Sequence, residues 1–305
     1  GPHFNPDIEM ADSEAIATQK PQVILLGNSM VKENVDTPTL SSLLGRSVYT
    51  ISYPATGSAV WYLVLKNNIL ASPYKPPILV ILFHDTVLTD PSYRTKGDFT
   101  RTLDRVAGSD EDLLLQLAYA NSMNPLEKFA KRFFPLYSFS PQVRTRLDYV
   151  YRYIPTHLLL HCGKRCVDAA FDGVLALRLM NMPPANGPMA MDERILYARR
   201  SMDFNRNVSE SFLPEIIRLC RKNGIQLILV RVRTNSFPNL SEPAGLADYM
   251  YALNTYLAAN NIPFVDIHSD SRLNAEDFID WFHVHPESRG IYTQVLADAL
   301  KPVLP

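Results

Sequence analysis

The chain is expected to fold as an α/β three-layer sandwich around a central, doubly wound parallel sheet, and three features of its order of residues lead there. Five short apolar runs recur along the chain, helical patterns lie between or after them, and the runs are apolar at consecutive rather than alternate positions. Strands apolar on both faces need helices on both faces, which is the condition of a parallel, doubly wound sheet.

The first run, Gln22-Val23-Ile24-Leu25-Leu26, stops at Gly27-Asn28-Ser29, the form of a buried strand that ends in a functional loop. The others are Val48-Tyr49-Thr50-Ile51-Ser52-Tyr53, Pro77-Ile78-Leu79-Val80-Ile81-Leu82-Phe83, Gln226-Leu227-Ile228-Leu229-Val230-Arg231-Val232 and Pro263-Phe264-Val265-Asp266-Ile267. Helices are expected around residues 39–44, 59–70, 209–223, 246–260 and 286–300. At Lys222-Asn223-Gly224-Ile225 a helix should end and a strand begin at once, Gly224 supplying the left-handed turn.

Residues 1–20 are polar and aperiodic and read as an arm or linker stub, which leaves 21–305 as a single domain. Residues 89–202 break the rhythm: helical patterns at 111–121, 125–132 and 143–160, many prolines and few strand candidates. They read as a helical insertion after the third strand, hung from the carboxyl edge of the sheet near the ligand crevice.

With 305 residues and 47% apolar content, the chain is large enough for one α/β core and that insertion. Lys plus Arg (30) nearly balance Asp plus Glu (31), so no field of one sign exists to gather nucleic acid, and nucleic-acid binding is not expected. The longest apolar run, at 77–83, is far too short to cross a bilayer. Gly1-Pro2 has the form of a scar left by a protease at a vector junction, so a signal segment, a membrane anchor or a membrane acyl-transfer partner would lie outside these residues. Oligomeric state is not legible.

Cys162, Cys166 and Cys220 are too few for a disulfide scaffold, although Cys162-Gly163-Lys164-Arg165-Cys166 could close a short bridge in an oxidising compartment. His157 and His161 beside them have zinc-ligand spacing. On a continuous helix, however, the His and Cys pairs would point about 100° apart. Gly163 also breaks the segment, so no metal site is expected.

Ser29 stands directly after the first strand, where open α/β sheets bind ligands, and a tight turn there would expose its hydroxyl among backbone N–H groups. Asn28-Ser29 could equally cap the next helix. A hydroxyl nucleophile needs a base, and the base needs a group to hold its tautomer. Asp280-Trp281-Phe282-His283 supplies such a pair just before the last helix, unless Asp280 and His283 are merely solvated.

Taken in order, these blocks resemble the SGNH (GDSL-like) hydrolase superfamily. Gly27-Asn28-Ser29-Met30 resembles the nucleophile block, with Asn28 in place of Asp; Ile51-Ser52-Tyr53-Pro54-Ala55-Thr56-Gly57-Ser58 is similar to the second block; and Asp280-Trp281-Phe282-His283 resembles the terminal Asp-x-x-His block. The resemblance implies catalysis by Ser29, His283 and Asp280, with the backbone N–H groups of Ser29 and Gly57 as oxyanion donors. It implies a serine esterase or O-acyltransferase without a cofactor.

The third block departs. Where Gly-x-Asn-Asp with its Asn donor would stand, the chain has Phe83-His84-Asp85-Thr86. His84 or Thr86 could donate instead, the hole could have backbone donors only, or the chain could be a non-catalytic carbohydrate-binding or assembly member. Loss of one donor costs on the order of a hundredfold in turnover. Divergent members that act on extracytoplasmic polysaccharides resemble the chain in this respect, which points to an acylated glycan or acyl donor, with acetyl the expected acyl group, and an extracytoplasmic location. Asn28, Asp85, Arg231 and His285 are candidate substrate contacts. Arg233 shares the edge with Arg231, His285 could instead be a helix-entry residue, and His84 could be only a satisfied core histidine.

Overall fold

The computed structural model describes residues 8–96, 99–108, 111–120, 191–235 and 242–305. Five parallel strands form one sheet: β1 (Val23–Gly27), β2 (Val48–Ser52), β3 (Ile78–Phe83), β4 (Gln226–Arg231) and β5 (Phe264–Asp266), in the order β2-β1-β3-β4-β5. Leu26 of β1 pairs with Ile51 of β2 on one side and with Ile81 of β3 on the other. β1 is therefore the strand from which the winding reverses, and such a switch point opens a crevice at the carboxyl ends of the strands.

Alternate residues of each strand enter two separate cores. Ile24, Leu26, Leu79, Ile81, Phe83, Leu227 and Leu229 meet α1 (Ala11–Gln19), α4 (Ser58–Val64), α5 (Leu213–Lys222) and α6 (Ala244–Ala259). Val23, Leu25, Ile78, Val80, Leu82, Ile228 and Val230 meet α2 (Ser29–Asn34), α3 (Thr37–Leu44) and α7 (Arg289–Leu300). Each such aliphatic side chain contributes roughly 1.5–3 kcal/mol by leaving water, so both faces must stay apolar.

Local chemistry sets the helix ends. Asp36 caps α3 by accepting from the Thr39 amide at 3.2 Å, and Gly45 closes it at φ 63°. Gly224 takes φ 65° after α5, whose buried Leu213, Ile216, Ile217 and Cys220 form one apolar stripe. The Cys220 thiol is free and pushed up to about 12 by burial.

Residues 11–19 differ from the arm expected of them: they form α1, and Ile16 is fully buried in the core. The Asp12 carboxylate accepts from the Tyr49 and Tyr53 hydroxyls, both at 3.0 Å, which fastens α1 to β2. Only Ser13 and Ile16 of this helix are buried, so no apolar period announces it.

The helix expected at 59–70 passes after Val64 into a wider π-turn, Leu65–Ile69. There Lys66 and Asn67 bind buried Glu111 at 2.9 and 2.8 Å, fastening the start of the insertion to the core. Among the described residues of 89–202 only helices and turns occur. The expected helices at 125–132 and 143–160, together with His157, His161, Cys162 and Cys166, lie outside the described residues.

Candidate active site

The turn that carries Ser29 is built by close approach. A Cβ on Gly27 would stand 2.5 Å from Val31 Cγ2 and 3.0 Å from the Leu82 carbonyl, so only glycine lets β1 bend into α2 there. Asn28 is the N-cap of α2; its Oδ1 accepts from the Met30 amide at 3.0 Å. The Ser52 hydroxyl donates to the Asn28 carbonyl at 2.8 Å and ties β2 to the same turn. Ser29 is left as the first residue of α2, half-buried at the carboxyl edge.

Across the crevice, residues 277–285 fold back on themselves. The Ile279 amide donates to the His283 carbonyl at 2.8 Å and the His285 amide to the Asp277 carbonyl at 2.7 Å, flanking a bridge between Phe278 and Val284. At the tip, Asp280 Oδ1 accepts from the Phe282 and His283 amides at 2.7 and 2.8 Å, the side-chain-to-backbone turn that Asp readily forms. Its Oδ2 lies 2.8 Å from His283 Nδ1, and His283 Nε2 lies 2.8 Å from Ser29 Oγ.

Burial works to raise the Asp280 carboxyl, but the His283 hydrogen bond, the Phe282 and His283 amides and the imidazole charge together hold it below the usual carboxylate range. An ionised carboxylate can only accept, so the ring proton of His283 sits on Nδ1 and its Nε2 lone pair accepts from the Ser29 hydroxyl.

Two residues outside the expected set brace this arrangement, Asn34 at the loop and Arg289 at the end of α2. Asn34, fully buried at the end of α2, donates from Nδ2 to the Phe282 carbonyl at 2.7 Å and accepts at Oδ1 from the Val284 amide at 3.1 Å. Arg289 donates to the Lys32 and Val35 carbonyls at 2.8 and 2.6 Å, closing the carboxyl end of α2 with a cation, as the helix dipole favours.

Gly57 precedes α4 on the loop after β2. A Cβ there would stand 2.8 Å from the Tyr93 ring and 2.9 Å from Val87, so its bare backbone is the price of the contact with the loop after β3. Around the site Ala55, Asp85 and Arg94 take left-handed backbone at φ 56°, 45° and 51°. Each stores on the order of 1–3 kcal/mol, strain of a kind that gathers at functional sites.

His84, 1% exposed, places Nε2 3.3 Å from Glu193 Oε2, with its ring tilted against Phe282 at 5.2 Å between centroids. Glu193, in the helical turn Met191–Ile195, also accepts from the Tyr93 hydroxyl and binds Arg94 at 2.6 Å. Burial works to raise the Glu193 carboxyl, but the His84 hydrogen bond, the Arg94 guanidinium and the Tyr93 hydroxyl hold it below the ordinary range. An ionised Glu193 can only accept, so a ring proton of His84 stands on Nε2, and Nδ1 is buried without a hydrogen-bond partner in the protein. Thr86, the other expected donor, is engaged, because its hydroxyl donates to the Leu196 carbonyl at 2.6 Å.

Arg231 and Asp85 also differ from expectation. Arg231 is 5% exposed, and its guanidinium meets Asp85 at 3.3 Å, Asp266 at 3.5 Å and Glu242. Asp85 further accepts from the Tyr197 hydroxyl at 2.5 Å. Both are spent on an internal ion cluster rather than turned toward a substrate. Asn28 is occupied as a cap, Arg233 donates to the His268 carbonyl at 2.6 Å, and His285 enters the short turn Pro286–Ser288. Among the described residues no group of three or more His, Cys, Asp or Glu is placed to hold a metal ion.

No protein-family model matches the chain, and no curated protein does. Solved structures are similar over most of their length. A protein assigned as an acylhydrolase from Bacteroides fragilis shares 15% identity over 95% of this chain and 94% of its own, with a TM-score of 0.42. One assigned as an SGNH hydrolase from Slackia heliotrinireducens shares 11% identity over 91% and 97%, at 0.40. The lipase/acylhydrolase from Enterococcus faecalis shares 11% over 93% and 97%, at 0.39. At such identities and scores the likeness bears on no chemical question, and the site is read from Ser29, His283 and Asp280 themselves.

Proposed function

We propose that the chain is a serine-dependent O-acyl ester hydrolase or O-acyltransferase of the SGNH type. One observation carries the reading: the unbroken hydrogen-bond chain from Ser29 Oγ through His283 to Asp280, 2.8 Å at each link. In this reading His283 Nε2 takes the Ser29 proton as Oγ attacks an acyl carbonyl, and Asp280 stabilises the imidazolium that forms. The Ser29 and Gly57 N–H groups receive the oxyanion. The tetrahedral species collapses to an acyl-serine, and the leaving alcohol departs with the proton held by His283. Water or a second alcohol then attacks, with His283 again the base.

The finer proposal is an acetyl group carried by or delivered to a glycan. It is supported by the resemblance of the chain, whose third block reads His84-Asp85, to divergent members that modify extracytoplasmic polysaccharides.

A fluorophosphonate probe should label Ser29, and p-nitrophenyl acetate should be turned over; Ser29→Ala should lose both. Wild type and Ser29→Ala behaving alike would sink the enzyme reading and leave a non-catalytic carbohydrate-binding protein.

A further inference from the structure

His84 and Glu193 form a buried pair that the acyl chemistry above does not use. Leu26 pairs with Ile81, so β1 and β3 leave the sheet side by side toward Ser29 and His84. The pair is walled on one side by Tyr93, which covers Gly57 and donates to Glu193, and on the other by Phe282 of the loop that carries the base. His84 Nε2 is engaged by Glu193, while Nδ1 is buried and has no hydrogen-bond partner in the protein. An ionised Glu193 accepts only, which puts a proton on Nε2; in the neutral ring Nδ1 is then a lone pair without a donor. Leaving a buried acceptor unpaired is costly, and the cost ends when a donor arrives.

During attack on an acyl-serine, the attacking oxygen surrenders its own proton to His283. What remains to satisfy His84 is a second O–H, carried by water itself or by a neighbouring hydroxyl of a polyol.

We propose that Glu193 is a positioning residue that holds His84 in the Nε2–H tautomer, and that His84 Nδ1 accepts from a second hydroxyl of the acyl acceptor, so that the site prefers acceptors with adjacent hydroxyls. Phe282, half-buried, packs its ring on His84 from the loop that carries the base. No bond to His84 forms or breaks; the proton of the attacking hydroxyl goes to His283 and the new ester leaves with the acceptor oxygen. This assignment rests on Ser29 being the nucleophile.

The test measures partition of the acetyl-enzyme, formed from p-nitrophenyl acetate, between ethylene glycol and ethanol at equal hydroxyl concentration. Wild type should favour ethylene glycol by roughly tenfold, the order expected of one hydrogen bond. His84→Leu should abolish the preference and Glu193→Gln should weaken it, because Gln can accept or donate and frees the tautomer. His84→Asn, whose amide oxygen also accepts, should restore part of it. Fluorophosphonate labelling of Ser29 should stay within about twofold in His84→Leu and Glu193→Gln, since that step needs no acceptor hydroxyl.

A wild type that labels but shows no preference overturns the assignment and leaves Ser29 standing. So does a fall in labelling that matches the fall in partition, which would mark a merely structural pair. If His84→Leu does not fold, the outcome is decided by Glu193→Gln. A wild type that does not label ends both readings.

Discussion

Asn34 grips the backbone on either side of His283, donating to the Phe282 carbonyl and accepting from the Val284 amide. It ends the six-residue helix that Ser29 begins, so the nucleophile and the base are spaced by one rigid element. Asn34→Leu keeps the volume and strands two main-chain groups, at a cost of about 1–3 kcal/mol. The melting temperature should fall by about 2–4 °C for each kcal/mol. Turnover of p-nitrophenyl acetate should fall tenfold or more, because misplacement of about 1 Å can cost a hundredfold. Thermal melts and steady-state kinetics check this; full turnover in Asn34→Leu would mean that the loop holds itself.

Asp280→Asn should leave the loop in place, because an amide oxygen can still accept from the Phe282 and His283 amides. Its NH2 group would meet His283 Nδ1 and demand the wrong tautomer. Turnover should drop by about 10⁴, the order known for this change in a Ser-His-Asp triad, and the melting temperature at pH 7 should fall modestly with the loss of the ionised carboxylate. The acid side carries a sign. The folded carboxyl is held low, so the stability it adds is complete above the ordinary aspartate range and is lost as pH falls through the lowered value. The gap in melting temperature between wild type and Asp280→Asn should therefore be flat from neutral to mildly acid pH and narrow only below it.

The ion cluster of Arg231 should matter to stability and not to substrate choice. Arg231→Met leaves Asp85 buried without its cation, which costs on the order of 3–5 kcal/mol when one partner of a buried pair is removed. Urea unfolding should show the loss, while the ratio of rates on anionic and neutral esters stays constant. A changed ratio would return Arg231 to the substrate.

Glu242 titrates that cluster. Burial works to raise its carboxyl, but the His268 hydrogen bond and the Arg231 guanidinium bring it down to about 2. Its contribution is present above the ordinary glutamate range and fades as pH falls toward about 2. The stability difference between wild type and Glu242→Gln should shrink over that window; a difference independent of pH would show that Glu242 acts by packing alone.

Gly57→Ala should drive a methyl group into Tyr93 and Val87. Overpacking of this kind costs about 1–3 kcal/mol, and the shift should slow turnover as well. Adding Val87→Ala should recover part of the stability, so that a double-mutant cycle shows coupling rather than additivity. Strict additivity would place the strain elsewhere.

The strands were legible because their apolar residues run on consecutive positions: four of the five observed strands lie within an expected run, and β1 continues one residue past its own, to Gly27. Ser29, His283 and Asp280 stood out because each sits in a short block at a strand end or before a helix, where neighbours in sequence supply most of the geometry. Asn34 and Glu193 did not, because their roles exist only across long separations: Asn34 to Val284, and Glu193 to His84. Nothing near them in the chain distinguishes a polar residue at a helix end from a clamp. Arg231 shows the same limit in reverse. Its place at the carboxyl edge suggested a ligand, but Asp85, Glu242 and Asp266, which engage both of its terminal nitrogens, come from three separate segments.

The fastening of the base loop has one property with a longer reach. Asp280 Oδ1 binds the Phe282 and His283 amides, Asn34 binds the Phe282 carbonyl and the Val284 amide, and the Asn235 amide binds the Trp281 carbonyl. Every one of these links addresses main chain. The identity of the residue at 281 is thus decoupled from the placement of the imidazole, and a library randomised at that position should keep the reacting groups in register. The loop is a frame whose geometry survives a change of the side chain at its tip.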